Sequence, residues 1–121
     1  MRLPSLSIIV AINHSIRHDD EWFGDPDELD RIERILAELQ REEDPVVAAA
    51  TAVGRIARSQ AFTEGNKRTA LLIGRWILDR NGVDGLRFIP EHDTQLGDLL
   101  LSAARGIDET RSVIELFESR R

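Results

Sequence analysis

Ser59-Gln60-Ala61-Phe62-Thr63-Glu64-Gly65-Asn66-Lys67-Arg68-Thr69-Ala70 is a polar turn set between the two most apolar stretches of this 121-residue chain. Upstream of it, Asp44-Pro45 opens a helix, with aspartate as cap and proline at the first helical position. Val46, Ala49, Ala50, Val53, Ile56 and Ala57 then trace an apolar stripe rich in small residues, suited to close and central packing. Downstream, a helix of about four turns runs from Asn66 through Trp76 and Leu78 and ends at Asn81-Gly82, where glycine accepts the left-handed C′ conformation. The turn therefore delivers polar groups to the start of a helix at the centre of the chain.

Outward from this pair, Ser5 to Ile16 reads as an apolar helix carrying Ile8, Ile9, Ile12 and Ile16. Asp25-Pro26-Asp27-Glu28 reads as a helix start, with Asp25 as N-cap and Glu28 reaching back, followed by Leu29, Ile32, Leu36 and Leu39 at helical spacing. Val83 to Pro90, which follows Gly82, holds Gly85, Phe88 and Ile89 and reads as a short extended excursion. One further helix carries Leu96, Leu99, Leu100 and Ala103 and ends near Gly106; the last carries Val113, Ile114, Leu116 and Phe117. The expected fold is all-α, one domain over residues 1–121 with about six helices and a short extended flap.

Composition bounds the chemistry. Hydrophobic residues at 41% and charged residues at 31% describe a soluble globular chain, and the lack of cysteine excludes disulfides, thiol catalysis and cysteine-based metal centres. No apolar run reaches the roughly 20 residues that a bilayer demands, and no secretory leader is evident, so the expectation is a cytoplasmic protein with no membrane partner. A net charge of −6 points away from nucleic acid as a partner. The charge is uneven, however: residues 1–45 hold five arginines against twelve acids, residues 46–90 seven basic residues against three acids, and residues 91–121 four against seven. An anionic ligand belongs in that basic middle third.

The turn itself offers a place for one. Gly65 permits close backbone approach, the first-turn N–H groups of the following helix lack intrahelical partners, and Lys67 and Arg68 add positive charge, which together describe a phosphate cradle. Glu64 would repel a phosphate unless a cation lay between them, as Mg²⁺ does when one carboxylate and phosphate oxygens share it. The same residues also permit a plainer reading, in which Glu64 and Asn66 cap a helix and Lys67 and Arg68 are solvated charges.

The turn resembles the signature of the Fic/Doc family, His-x-Phe-x-[Asp/Glu/Asn]-[Gly/Ala]-Asn-[Gly/Lys]-Arg. Phe62, Glu64, Gly65, Asn66, Lys67 and Arg68 match it, and the continuation Lys67-Arg68-Thr69-Ala70 is similar to the death-on-curing (Doc) branch. Gly24-Asp25-Pro26, Asn81-Gly82-Val83 and the Ala103-Ala104-x-Gly106 segment extend the resemblance over nearly the whole chain. It implies a small helical fold that binds ATP with Mg²⁺ at the turn and modifies a protein hydroxyl. Most Fic members transfer AMP; Doc toxins transfer the terminal phosphate to a threonine of elongation factor Tu, arrest translation and are neutralised by an antitoxin. In that frame Phe62 anchors the loop and Glu64 takes the metal position. Gly65, Asn66, Lys67 and Arg68 form the phosphate nest, while Gln60 and Arg68 occupy catalytic positions. Lys67 in place of the usual Gly, and Leu71 in place of a second Arg, favour the Doc side over AMP transfer.

Gln60 stands where active members carry His. An imidazole can take the proton of an attacking hydroxyl near neutral pH, whereas a carboxamide can only hydrogen-bond and orient it. The resemblance therefore implies a Doc-like kinase impaired by Gln60, with two alternatives: an AMP-transferring Fic enzyme, or a non-catalytic module that binds nucleotide or a partner. The remaining candidates read as structure. His14 and His18 stand four apart but lack the HExxH carboxylate, and Asp19-Asp20-Glu21 reads as a solvated loop anchored by Trp22 and Phe23. Trp76 reads as core. In the family frame, the stretch from Gly85 to Ile89 corresponds to a flap on which target peptides dock as an added strand.

Overall fold

A computed structural model describes residues 1–17 and 27–121. Seven helices and no strand occur among them: α1 (Leu6–Ile16), α2 (Leu29–Leu39), α3 (Pro45–Ser59), α4 (Asn66–Arg80), α5 (Gly85–Phe88), α6 (Thr94–Ala104) and α7 (Thr110–Ser119). The all-α expectation holds, and the additional element is the single turn α5.

The Asp44 cap and the Gly82 and Gly106 ends act as read. Ser5 accepts from the Ile8 N–H at 3.2 Å and Asp44 from the Val46 N–H at 2.9 Å, each satisfying an orphan donor of a first turn. At the far end of α4, Val83 N–H donates to the Leu78 carbonyl (2.9 Å) and Gly82 N–H to that of Asp79 (3.3 Å), the paired bonds of a Schellman motif. Gly106 takes the same place after α6.

α3 is the central element. Nine of its fifteen residues are buried, most of them alanine, valine or glycine, and it packs against α4, α7, α2 and α6. Small side chains let the axes approach closely: a Cβ on Gly74 of α4 would lie 2.6 Å from Val53, and one on Gly54 would lie 2.8 Å from the Thr110 backbone. Ile73, Ile77, Leu78, Leu96, Leu100, Val113 and Phe117 close the core around it.

Three expectations change. The extended excursion over Val83 to Pro90 is instead the helical turn α5, and its backbone is occupied. Asp84 caps the Leu86 N–H, Asp79 accepts from Gly85 N–H at 2.9 Å, Arg75 donates to the Ile89 carbonyl at 3.0 Å and Arg120 to that of Phe88 at 2.8 Å. No strand edge is presented there for an incoming peptide. α2 begins at Leu29 with Glu28 at the N-cap, not at Pro26; Asp27, expected inside the helix, spends its carboxylate elsewhere, as described below. Asp25 and Pro26 lie outside the described residues, as do Gly24, His18, the Asp19 to Glu21 run, Trp22 and Phe23. Trp76 is half-buried rather than core, with the Arg80 guanidinium 5.1 Å from its ring centroid.

Candidate active site

The turn between α3 and α4 forms one wall of a cleft of about 360 Å³, lined by Gln60, Thr63, Glu64, Gly65, Asn66, Lys67 and Arg68 together with Ile16 of α1 and Ala104 of α6. Every site residue expected from the sequence therefore lines a single cavity.

The loop is held by its backbone. Phe62 is buried in the core, and Asn66 clamps it from both sides: Phe62 N–H donates to Asn66 Oδ1 (3.1 Å) and Asn66 Nδ2 donates to the Phe62 carbonyl (2.9 Å). The carboxamide of Asn66 is thereby committed to the loop, so what it can offer a ligand is its main-chain N–H. Ala61 N–H donates to Ser59 Oγ (3.2 Å), and the Ala61 carbonyl accepts from Glu28 N–H (2.7 Å). Thr63 N–H donates to Asp27 Oδ1 at 3.1 Å.

Behind the loop stands a polar network that sequence reasoning missed. Asn13, fully buried on α1, donates through Nδ2 to the Glu64 carbonyl (2.9 Å) and to Thr69 Oγ1 (3.1 Å). Arg17 donates to Asn13 Oδ1 and to Asp27 Oδ2, both at 2.6 Å, and its guanidinium lies 5.8 Å from the Phe62 ring centroid. Asn13 on α1, Arg17 at its C-cap and Asp27 just before α2 thus fix the loop from segments distant in sequence. One signal was present: Asn13 is a polar residue beside Ile9, Ile12 and Ile16 on an apolar face, where an unpartnered amide would be costly.

Gly65 is the N-cap of α4 at φ 77° and ψ 17°, in the left-handed region that favours glycine. A Cβ there would lie 3.3 Å from Asn13 Nδ2 and 3.4 Å from Ile16 Cδ1, so the close approach it permits is first of all to α1. No side chain caps α4. Its first-turn N–H groups, at Asn66, Lys67 and Arg68, have no intrahelical acceptor and carry the positive end of the helix dipole. Lys67 and Arg68 are exposed and make no ion pair or hydrogen bond with any described residue. An uncapped helix start flanked by two unpaired cations is chemically an oxyanion receptor. Glu64 places one carboxylate in the same cleft. That donor set fits a phosphate chain bridged to a divalent cation. No group of three or more potential metal ligands occurs among the described residues, so a cation here would draw ligands from the phosphates as well.

Gln60 is the C-cap of α3 rather than a free loop residue, with φ 52° and ψ 30°. Its Nε2 donates to the Ala104 carbonyl at the end of α6 (2.9 Å). The left-handed backbone is unusual for glutamine and more often adopted by Asn, Asp or His. His14, exposed on α1, lies 3.8 Å from Asp27 and lines no part of the cleft. No helix of the described residues is long and apolar enough to cross a membrane.

Residues 7–78, well over half of the chain, match the family model described as Fic/DOC family. The matched stretch runs from α1 almost to the end of α4 and so includes the loop and the α1 residues that hold it. No curated protein matches the chain.

Proposed function

This chain belongs to the Fic/DOC family, and from that footing we propose that its cleft binds a magnesium nucleotide and serves transfer of a phosphate-containing group to a protein hydroxyl. The observation that carries the reading is the uncapped start of α4 with Lys67 and Arg68 beside it, neither paired with any described residue. When bound, the nucleotide supplies an electrophilic phosphorus and a leaving group. Lys67, Arg68 and the first-turn N–H groups hold phosphate oxygens, and Glu64 contributes the carboxylate for the cation. Within the family we assign the chain to the Doc-like branch, a toxin that passes the terminal phosphate of ATP to a translation factor such as elongation factor Tu and is restrained by an antitoxin. Lys67 and Leu71 support that branch over AMP transfer, since Leu71 offers no second phosphate clamp.

Gln60 limits the chemistry. It can orient the incoming hydroxyl through its amide but cannot accept the proton, and general-base help is worth about 10²–10⁴ in rate. Binding should therefore outlive turnover. The same observation favours a second reading, a family member retained for binding nucleotide or a partner without transfer.

The test is incubation of wild type and Gln60→His with a cell lysate and ATP labelled at either the α or the γ phosphate. The Doc-like reading expects γ label on a protein, raised about 10²–10⁴ by the His variant. Label from the α position instead assigns AMP transfer. A folded, nucleotide-binding His variant that transfers neither overturns the enzyme reading and leaves the binding module.

A further inference from the structure

A second, smaller cavity of about 190 Å³ lies between α4, α6 and the segment that joins α5 to α6, with Leu71, Pro90, Leu96 and Gly97 as its apolar lining. Helical spacing connects it to the active cleft. On α4, Arg68 lines the cleft, and Leu71 and Arg75, three and seven residues on, line the second cavity. On α6, Ala104 lines the cleft and Gly97, seven residues earlier, lines the second cavity. Leu101 falls between them on the same face and is 47% exposed. One track thus follows both helices, from the phosphate end of the cleft to Arg75.

Gly97 has no role in packing. It sits inside α6, where glycine favours a helix less than alanine does, and its N–H makes an ordinary helical bond to the Asp93 carbonyl (3.0 Å). A Cβ at Gly97 would meet nothing within 4 Å, unlike those at Gly54 and Gly74. What the missing side chain preserves is open space in the cavity. The charges at the mouth are balanced: Asp93 is paired with Arg120, and Arg75 and Glu91 oppose each other in sign. Arg75 spends Nε on the Ile89 carbonyl (3.0 Å) and forms no ion pair with any described residue, so its terminal nitrogens can hold further carbonyls.

We infer that this track docks the acceptor segment of the protein substrate: an extended, uncharged stretch whose hydroxyl enters the cleft while a large apolar side chain three residues away fills the second cavity. The inference rests on the transfer reading above. The step from Gly97 to Ala104 on α6 spans about 10.5 Å, which an extended chain covers in about three residues at ~3.3 Å each. Leu71, Leu96 and Leu101 favour an apolar occupant, the balanced mouth favours one without net charge, and Arg75 supplies donors to its main chain.

Two pools of seven-residue peptides test this, Leu-x-x-Thr-x-x-Leu and Asp-x-x-Thr-x-x-Asp, with x drawn from uncharged residues so that either chain direction is sampled. The readout is the amide resonances of Gly97 and Leu101 in the full chain. The leucine pool should move both, at least fivefold more than the aspartate pool at equal concentration. Gly97→Leu, which fills the cavity, should weaken the event at least tenfold, and the off-track control Arg111→Gln should keep it. Leu101→Asp, at an exposed position, keeps the test sound if Gly97→Leu loosens the fold, and it should weaken the event at least threefold. Resonances that stay still, an equal response to both pools, or binding unchanged in both variants overturn the inference. Self-association of the free chain that Leu101→Asp abolishes gives the track to a second copy and overturns it as well. If Arg68→Ala leaves nucleotide binding untouched while the peptides behave as stated, the nucleotide reading falls and the docking track stands.

Discussion

The two ends of α4 belong to one fifteen-residue helix and are finished in opposite ways. At its C-terminus, Asn81 donates to the Ile77 and Arg2 carbonyls and accepts from Arg2 N–H, Gly82 and Val83 complete a Schellman motif, and Arg80 lies over Trp76. At its N-terminus no side chain caps the helix, and Lys67 and Arg68 extend into a cleft without partners among the described residues. Polar groups at the closed end are consumed by the fold, while those at the open end remain available to a ligand. Yet the open end is not loose, because Asn13, Arg17 and Asp27 fix the loop behind it. Rigidity and vacant donors are supplied by different residues, which makes them separable by mutation.

The largest effect should come from breaking the support of the open end. Arg17 and Asp27 are only 10% and 16% exposed, and removing one member of such a buried pair costs about 3–5 kcal/mol. Arg17→Ala should lower stability by that order in a denaturant titration and abolish nucleotide binding with it. Arg68→Ala should separate the two properties: nucleotide affinity falls by about 1.5–3 kcal/mol by calorimetry. Its stability should stay within about 0.5 kcal/mol of wild type. An unchanged affinity would erase the contrast between the ends. Gly65→Ala sharpens it, since a left-handed alanine costs about 1–2 kcal/mol, and the Cβ crowds Asn13 Nδ2; both the melting temperature and nucleotide affinity should fall.

Disturbing the closed end should affect stability alone. Asn81→Ala should cost about 0.5–1.5 kcal/mol per net hydrogen bond lost and leave nucleotide affinity unchanged. The smallest effect concerns acid. Burial alone would raise the Asp93 carboxyl, but hydrogen bonds and charge from Arg120, with the N–H groups of Leu96 and Gln95, outweigh it and hold the group below the usual carboxylate range. Its contribution is therefore complete above the unfolded value of about 3.9 and is lost as pH falls through the lower folded value. Asp93→Asn should flatten the acid-side decline in stability below about pH 4 and leave the neutral region less stable than wild type.

What could be read from the sequence was local. The stripe from Val46 to Ala57, the Asp44-Pro45 start, the Gly82 and Gly106 ends and the turn from Gln60 to Arg68 each declare themselves within a few residues, and each is where it was expected. Contacts between distant segments were not legible. Asp27 has the pattern of a first-turn acid, but the Thr63 N–H and Arg17 claim it, and the helix starts later. Val83 to Pro90 has the composition of an extended segment; Asp79 and Asp84, together with Arg75 and Arg120 from neighbouring helices, wind it into a turn. Gln60 looked like a loop residue because nothing nearby reveals that Ala104 receives its amide.

That reach from α1 to α6 also sets when the site can exist. Ribosomes add about 5–20 residues per second, from the N-terminus onward. The Asn13 side of the loop emerges first, the loop itself follows some fifty residues later, and the Ala104 carbonyl that receives Gln60 follows after another 44. A growing chain that has already exposed Lys67 and Arg68 still lacks the far wall of its cleft. Competence is thereby postponed until α6 has left the exit tunnel and docked, so fragments released early in synthesis would be inert by construction.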